Sequence, residues 1–215
     1  MDLKLMLDYI PRYLAGAKVT IELTIASLII GILGGLIIAI CRISHILILR
    51  KIAEIYISVI RGTPLLLQIV FIYYSLPSMG ISLSAMASGI CGLSINTAAY
   101  MAETIRGGIL AVDKGQREAA YTLGYSGIQT YIHIILPQTF KIILPQIGNT
   151  SIAMIKDTSL VSVITITELM RTAQVSYAIN FRPLESYLLA AIIYYILSTI
   201  VSRIFAAVEK ANNKY

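Results

Sequence analysis

Five stretches of this chain, residues 19–40, 52–76, 85–110, 147–169 and 186–206, are apolar over lengths that match a lipid bilayer. A crossing needs about 20 mostly apolar residues to traverse roughly 30 Å of hydrocarbon. Within hydrocarbon each backbone N–H and C=O needs an internal partner, so spans of this length are helices. The expectation is an all-α membrane protein with five transmembrane helices in one domain, residues 1–215. Composition agrees: 57% of the 215 residues are hydrophobic and 13% charged, against about 45–50% and about 25% in soluble domains. A soluble globule is excluded, and little chain is left for a soluble catalytic domain. The net charge of +6 points to basic cytoplasmic loops rather than to nucleic acid. Cys41 and Cys91 lie in apolar runs and, with two distant histidines, do not make a four-ligand zinc site.

Residues 1–18 mix Asp8, Arg12 and Lys18 with Leu7, Tyr9, Ile10 and Tyr13, without the apolar core and small-residue cleavage site of a removable signal. They are expected to form an amphipathic segment at the membrane surface, leaving the first span as an uncleaved insertion signal. Lys and Arg in short loops set orientation. One side carries Arg42, Arg50, Lys51, Arg106, Lys114, Arg117, Lys141, Arg203, Lys210 and Lys214; the other carries Lys4, Arg12, Lys18, Arg171 and Arg182. The richer side is assigned to the cytoplasm, so the N-terminus is outside, the C-terminus inside and the polar segment 111–146 cytoplasmic. Gly31, Gly34 and Gly35 include a Gly-xxx-Gly spacing suited to close packing of helices within the chain.

Ionisable groups inside a membrane are costly and face a protein interior or a wet cavity. Glu22, Glu54 and Glu168 lie near span ends, within reach of the interface. In the third span Asn96, Tyr100 and Glu103 stand at i, i+4 and i+7, on one helix face. They suit a cavity lining, although Glu103 can equally pair with Arg106 at i+3. The fourth span is interrupted by Lys156, Asp157, Thr158 and Ser159. A polar break in a span fits a bent helix lining a cavity, as at transporter substrate sites, and also fits a fixed inter-helix ion pair. In the second span Arg61-Gly62-Thr63-Pro64 points to a helix restart, since proline is favoured in a first helical turn. Gln68 follows one turn later. Neither a catalytic motif nor a phosphate-binding loop is present, so a chain using ATP must receive it through another subunit.

The segment between the third and fourth spans contains Glu118-Ala119-Ala120, three residues including Leu123, then Gly124, nine residues, and Ile134-Ile135-Leu136-Pro137. This run resembles the EAA loop of the membrane subunits of ABC importers at every fixed position. Arg61-Gly62-Thr63-Pro64 with Gln68, Ala98-Ala99-Tyr100 with Glu103, and Lys156-Asp157-Thr158-Ser159-Leu160 are similar to the polar amino acid permeases of the histidine/glutamine/arginine group. The resemblance implies a type I importer permease in the plasma (inner) membrane. It also implies coupling through Glu118, Ala119, Ala120, Leu123 and Gly124 to a separate ATPase that binds ATP and Mg, and no cofactor in this chain. A second permease copy or homologue and an extracytoplasmic amino-acid-binding protein complete the implied assembly. The expected substrate contacts are Glu103, Asp157 and Thr158, then Asn96, Tyr100, Ser159 and Gln68. Two carboxylates lean the expected substrate towards a basic amino acid such as arginine, lysine or histidine. The alternative is a secondary transporter or channel for small polar solutes, which has no use for an ATPase-docking loop.

Overall fold

The computed structural model describes residues 3–212, with side chains from Met6 onward; Lys214 and the side chain of Lys4, both used in the charge count, lie outside the described residues. The long elements are α1 (Leu3–Ile43), α2 (Leu47–Gly62), α4 (Ala85–Ala111), α7 (Leu136–Asp157), α8 (Leu169–Asn180) and α9 (Pro183–Asn212). Shorter pieces fill the bends: α3 (Leu65–Val70), which runs on through a π turn, α5 (Lys114–Thr122) and α6 (Gly127–Thr130). By length and composition Met6–Ile43 and Pro183–Asn212 are each able to cross a membrane, with mean hydropathy 2.6 and 2.0 over an 18-residue stretch of each, and Leu47–Gly62 with Leu65–Met79 makes a third if this bent pair is one span. The other two apolar stretches carry the polar residues that line the cavity described below.

Three packed clusters are strung along α1. Tyr13 sits with Leu169, Ala173 and Leu189; Leu23 with Ile69, Leu93, Met154 and Val161; Ala39 with Met101, Ile105, Ile135 and Ile143. Lipid tails are as apolar as leucine, so close backbone approach, not exclusion from water, holds such helices together. The seam between α1 and α4 shows how. A Cβ added at Gly31 would lie 2.7 Å from Thr97 Cβ, and one at Gly35 2.7 Å from Met101 Cβ and 3.1 Å from the Ala102 nitrogen. The Gly-xxx-Gly spacing therefore serves packing inside the chain.

One boundary differs from the sequence expectation, and two helix breaks fall where the sequence placed them. Residues 3–18 are continuous with the first span in one unbroken helix, and buried Tyr13 donates to the Ser186 carbonyl at 2.9 Å, tying this end to α9. Residues 52–76 are not one rod: α2 and α3 meet at 105°. Pro64 cannot continue α2, and it forces Thr63 into an extended conformation at φ −119°, ψ 147°. Residues 147–169 are also divided. Helix α7 stops at Asp157, a 3-10 turn covers Thr158–Ile164, and Thr165 takes a left-handed φ of 68°.

Glu168 is not at an interface as its position near a span end suggested. It is fully buried, and its carboxylate caps α8 by accepting from Met170 N at 2.8 Å and Arg171 N at 2.7 Å. Tyr194 on α9 donates a third hydrogen bond to it at 2.6 Å. Gly16 leaves the room on α1 for this joint, since a Cβ there would lie 3.2 Å from the Glu168 carbonyl.

Candidate functional site

The two helix breaks and the middle of α4 meet around an open cavity of about 570 Å³. One wall is the bend at Thr63, Pro64 and Leu65; the second is α4 through Asn96, Thr97, Tyr100 and Thr104. The third is α7, whose Gln146, Asn149, Thr150, Ala153 and Asp157 recur at three- and four-residue spacing on one face. Hydroxyls, carboxamides and one carboxylate thus converge where an unbroken apolar helix pair would have closed the space. Asp157 makes no ion pair among the described residues.

Of the expected substrate contacts, Asn96, Tyr100 and Asp157 line this cavity together. Gln68 stands just behind the wall, accepting a hydrogen bond from Asn96 Nδ2 at 3.1 Å. Thr158 is fully buried, its hydroxyl turned back to the Ile155 carbonyl at 2.6 Å, and Ser159 continues the same 3-10 turn. Both shape the break without lining the cavity. Glu103 is turned away: Arg106 Nη2 lies 2.7 Å from its Oε2, and Arg42 Nε 3.9 Å from its Oε1. Arg42 also reaches Glu54 at 3.1 Å, so Glu103 belongs to a chain of alternating charges joining α1, α2 and α4. The face of α4 that lines the cavity continues from Tyr100 to Thr104, at i+4, rather than to Glu103. Arg61, at the end of α2, places its guanidinium carbon 5.0 Å from the Tyr100 ring centroid, a cation–π contact at the cavity edge.

Gln146, Asn149 and Thr150 were not singled out from the sequence, because they straddle the boundary drawn between the polar segment and the fourth span. Their spacing relative to Asp157 was the available signal, since all four lie on one face once α7 is known to start at Leu136.

The EAA segment is a compact helical hairpin. Asp113 caps α5, accepting from Gly115 N at 2.7 Å. The helix ends in a Schellman motif, with Tyr125 N donating to Ala120 O and Gly124 N to Tyr121 O, each at 3.0 Å. Gly124 takes the left-handed φ of 82° that this turn requires. Ser126 and Gln129 then form a reciprocal capping box on α6. Glu118, Ala119, Leu123 and Gly124 are exposed, whereas Ala120 is 1% exposed and packs inward. Leu123 and Ile128, at 76% and 74% exposure, leave an apolar tip on the hairpin.

Comparison with known proteins gives a consistent picture. Residues 31–214 match the family described as binding-protein-dependent transport system inner membrane component. The L-cystine transport system permease protein TcyB of Bacillus subtilis is 41% identical over 95% of this chain and 88% of that protein. The arginine transport system permease protein ArtQ of Bacillus subtilis is 38% identical, covering 98% and 96%, and the glutamine transport system permease protein GlnP of Escherichia coli 37%, covering 94% and 93%. A chain in the crystal structure of an amino acid ABC transporter with histidines superposes with a TM-score of 0.92 at 39% identity, covering 98% of this chain and 99% of that one. A chain of the inward-facing MetNI methionine ABC transporter shares the fold, with a TM-score of 0.68 at 18% identity over 97% and 99%. The all-helical architecture is that of type I ABC permeases, and this chain belongs to the binding-protein-dependent transport system inner membrane component family, among its amino acid ABC transporter permeases.

Proposed function

We propose that this permease carries a polar amino acid into the cytoplasm through the cavity between the α2–α3 bend, α4 and α7. The observation that carries this reading is Asp157: a carboxylate on a cavity wall, without an ion-pair partner among the described residues, close to carboxamides and hydroxyls. A carboxylate that a bound ligand removes from water is matched by a cationic group on that ligand. Asp157 holds the substrate ammonium, Asn96 and Tyr100 contact the substrate from α4, and Gln68 supports Asn96. Thr158 and Ser159 hold the 3-10 turn that ends α7 beside Asp157. Glu103 acts from the rim through its ion pairs. Because Glu103 is matched by arginine, the carboxylate pair that favoured a basic amino acid is reduced to Asp157, which serves the ammonium group common to all amino acids. The named substrates of the relatives, cystine, arginine and glutamine, all carry an ammonium group.

In this reading α1, the bent pair α2–α3, α4, α7 with its 3-10 continuation, and α9 make five crossings, with the N-terminus outside and the C-terminus in the cytoplasm. A separate ATPase subunit, with ATP and Mg bound to it, docks on the exposed hairpin face formed by Glu118, Ala119, Leu123 and Ile128. Ala120 contributes by holding α5 against the core. A second permease, identical or homologous, completes the pathway by symmetry, and an extracytoplasmic binding protein delivers the substrate. Since a ligand shifts a conformational equilibrium only through differential affinity for the two states, nucleotide-driven movement of the hairpin must change exposure of the α4 and α7 faces.

The test is ATP hydrolysis by this permease and its ATPase in liposomes, across basic, amide and acidic amino acids. Stimulation by basic amino acids and glutamine, and not by acidic ones, is the expected result. Stimulation by acidic amino acids alone would contradict the role given to Asp157, and the absence of hydrolysis with every candidate ATPase would contradict the importer reading.

A further inference from the structure

Pro64 has no N–H, so the carbonyl four residues earlier, on Ile60, lacks the donor that an unbroken helix supplies. The extended conformation of Thr63 turns a second carbonyl out of the helical pattern. One side chain meets both. Gln68 Nε2 donates to Ile60 O at 2.8 Å and to Thr63 O at 3.1 Å, and also contacts Thr63 Oγ1 at 2.9 Å. Carbonyl oxygens only accept, so the nitrogen end of the Gln68 carboxamide is committed to the bend and Oε1 is the end that faces α4. That oxygen accepts from Asn96 Nδ2 at 3.1 Å. The same logic then fixes Asn96: its donor end is consumed by Gln68. Its Oδ1, which accepts no hydrogen bond among the described residues, is the end left for the cavity that Asn96 lines.

We propose that Gln68 is a positioning residue that sets Asn96 as a hydrogen-bond acceptor, so that the cavity selects amino acids whose side chain ends in an N–H donor. This rests on the reading of the cavity as the substrate site. Asp157 on α7 takes the α-ammonium group, and Asn96 on α4 takes the donor at the far end of the side chain. Arginine, lysine, histidine and glutamine meet this requirement. Glutamate and aspartate do not, because a carboxylate facing Oδ1 leaves two acceptors with no proton between them, and a site built around a specific hydrogen bond rejects an analogue lacking it.

Glutamine and glutamate differ at the side-chain end by one NH2 for one oxygen, so their relative affinity reads the orientation of Asn96. Binding of radiolabelled glutamine and glutamate is measured on the purified permease with its ATPase, without the binding protein. The native complex prefers glutamine. Gln68→Leu frees the Asn96 carboxamide to rotate and lowers that preference about tenfold, the worth of a strong hydrogen bond. Asn96→Asp added to Gln68→Leu restores rejection of glutamate, since both ends of that side chain accept. A native preference for glutamate, an unchanged ratio in Gln68→Leu, or equal weakening of both ligands would each overturn the proposal.

If Gln68→Leu does not assemble, Gln68→Ala is read in its place, and an unchanged glutamine-to-glutamate ratio in that variant overturns the role of Gln68. A complex that binds arginine but neither isostere is scored on arginine, whose affinity must fall about tenfold in Gln68→Leu, and an unchanged arginine affinity there overturns the proposal. Asp157→Asn separates the two levels of the argument. Unchanged affinity in that variant removes the cavity reading itself, whereas weakened binding with an unaltered ratio in the Gln68 variants removes only the positioning role.

Discussion

The seam between α1 and α4 and the cavity between the α2–α3 bend, α4 and α7 share one helix, yet they are built on opposite principles. At the seam, glycines and alanines bring two unbroken helices into backbone contact, with Gly31, Gly35 and Ala98 leaving no room for a further atom. At the cavity, Pro64 and the 3-10 turn at Thr158 interrupt helices, and the freed polar groups are satisfied by side chains such as Gln68. Irregular backbone at membrane depth is tolerated only where it is buried in protein or lines a wet space. Helix α4 is thus packed against α1 on one face while its other face lines the cavity.

That division can be broken most severely on the scaffold side. Glu168→Ala leaves the Met170 and Arg171 amides and the Tyr194 hydroxyl without their shared acceptor. A loss of about 3 kcal/mol is expected, since each buried group left unsatisfied costs about 1–3 kcal/mol; thermal unfolding in detergent reads it, with substrate selectivity among the surviving complexes unchanged. Gly35→Leu forces α1 from α4 at Met101 and Ala102. Overpacking of this kind costs about 1–3 kcal/mol, again read as a lower unfolding temperature, and a variant that altered selectivity while keeping full stability would show that the seam is not a passive scaffold. On the cavity side, Arg61→Ala removes the cation–π contact with Tyr100. The effect is the smallest, about 0.5–1 kcal/mol, and is expected in substrate affinity with the unfolding temperature unmoved.

The same contrast explains how much the sequence revealed. The Gly-xxx-Gly seam was legible because close packing needs small residues at fixed spacing and nothing else. The segment 111–146 was legible through its resemblance to the EAA pattern, whereas its hairpin form was not read from the sequence although its turn chemistry is local: Asp113, Gly124, Ser126 and Gln129 each act on backbone groups a few residues away. The breaks at Pro64 and after Asp157 were also visible as local interruptions. What they do in space was not, because the 105° bend and the meeting of three walls depend on contacts between distant segments. Glu103 is the clearest case. Its spacing from Asn96 and Tyr100 fits a cavity face, but Arg106 and Arg42, the latter from another helix, decide where its carboxylate goes. Glu168 is similar: proximity to a span end suggested an interface, while burial follows from Gly16, Thr20 and Tyr194 on other helices.

Among carboxylates of this chain, Asp157 is the one the account makes responsible for holding the substrate. The most direct measurement is therefore the affinity of the purified permease–ATPase complex for radiolabelled arginine before and after Asp157→Asn, a substitution close in shape that removes the charge. A hydrogen bond to a charged group contributes about 1.5–3 kcal/mol, so affinity is expected to fall by about tenfold or more, with assembly and basal ATP hydrolysis retained. Arginine affinity unchanged by Asp157→Asn, in an assembled complex, would contradict the account.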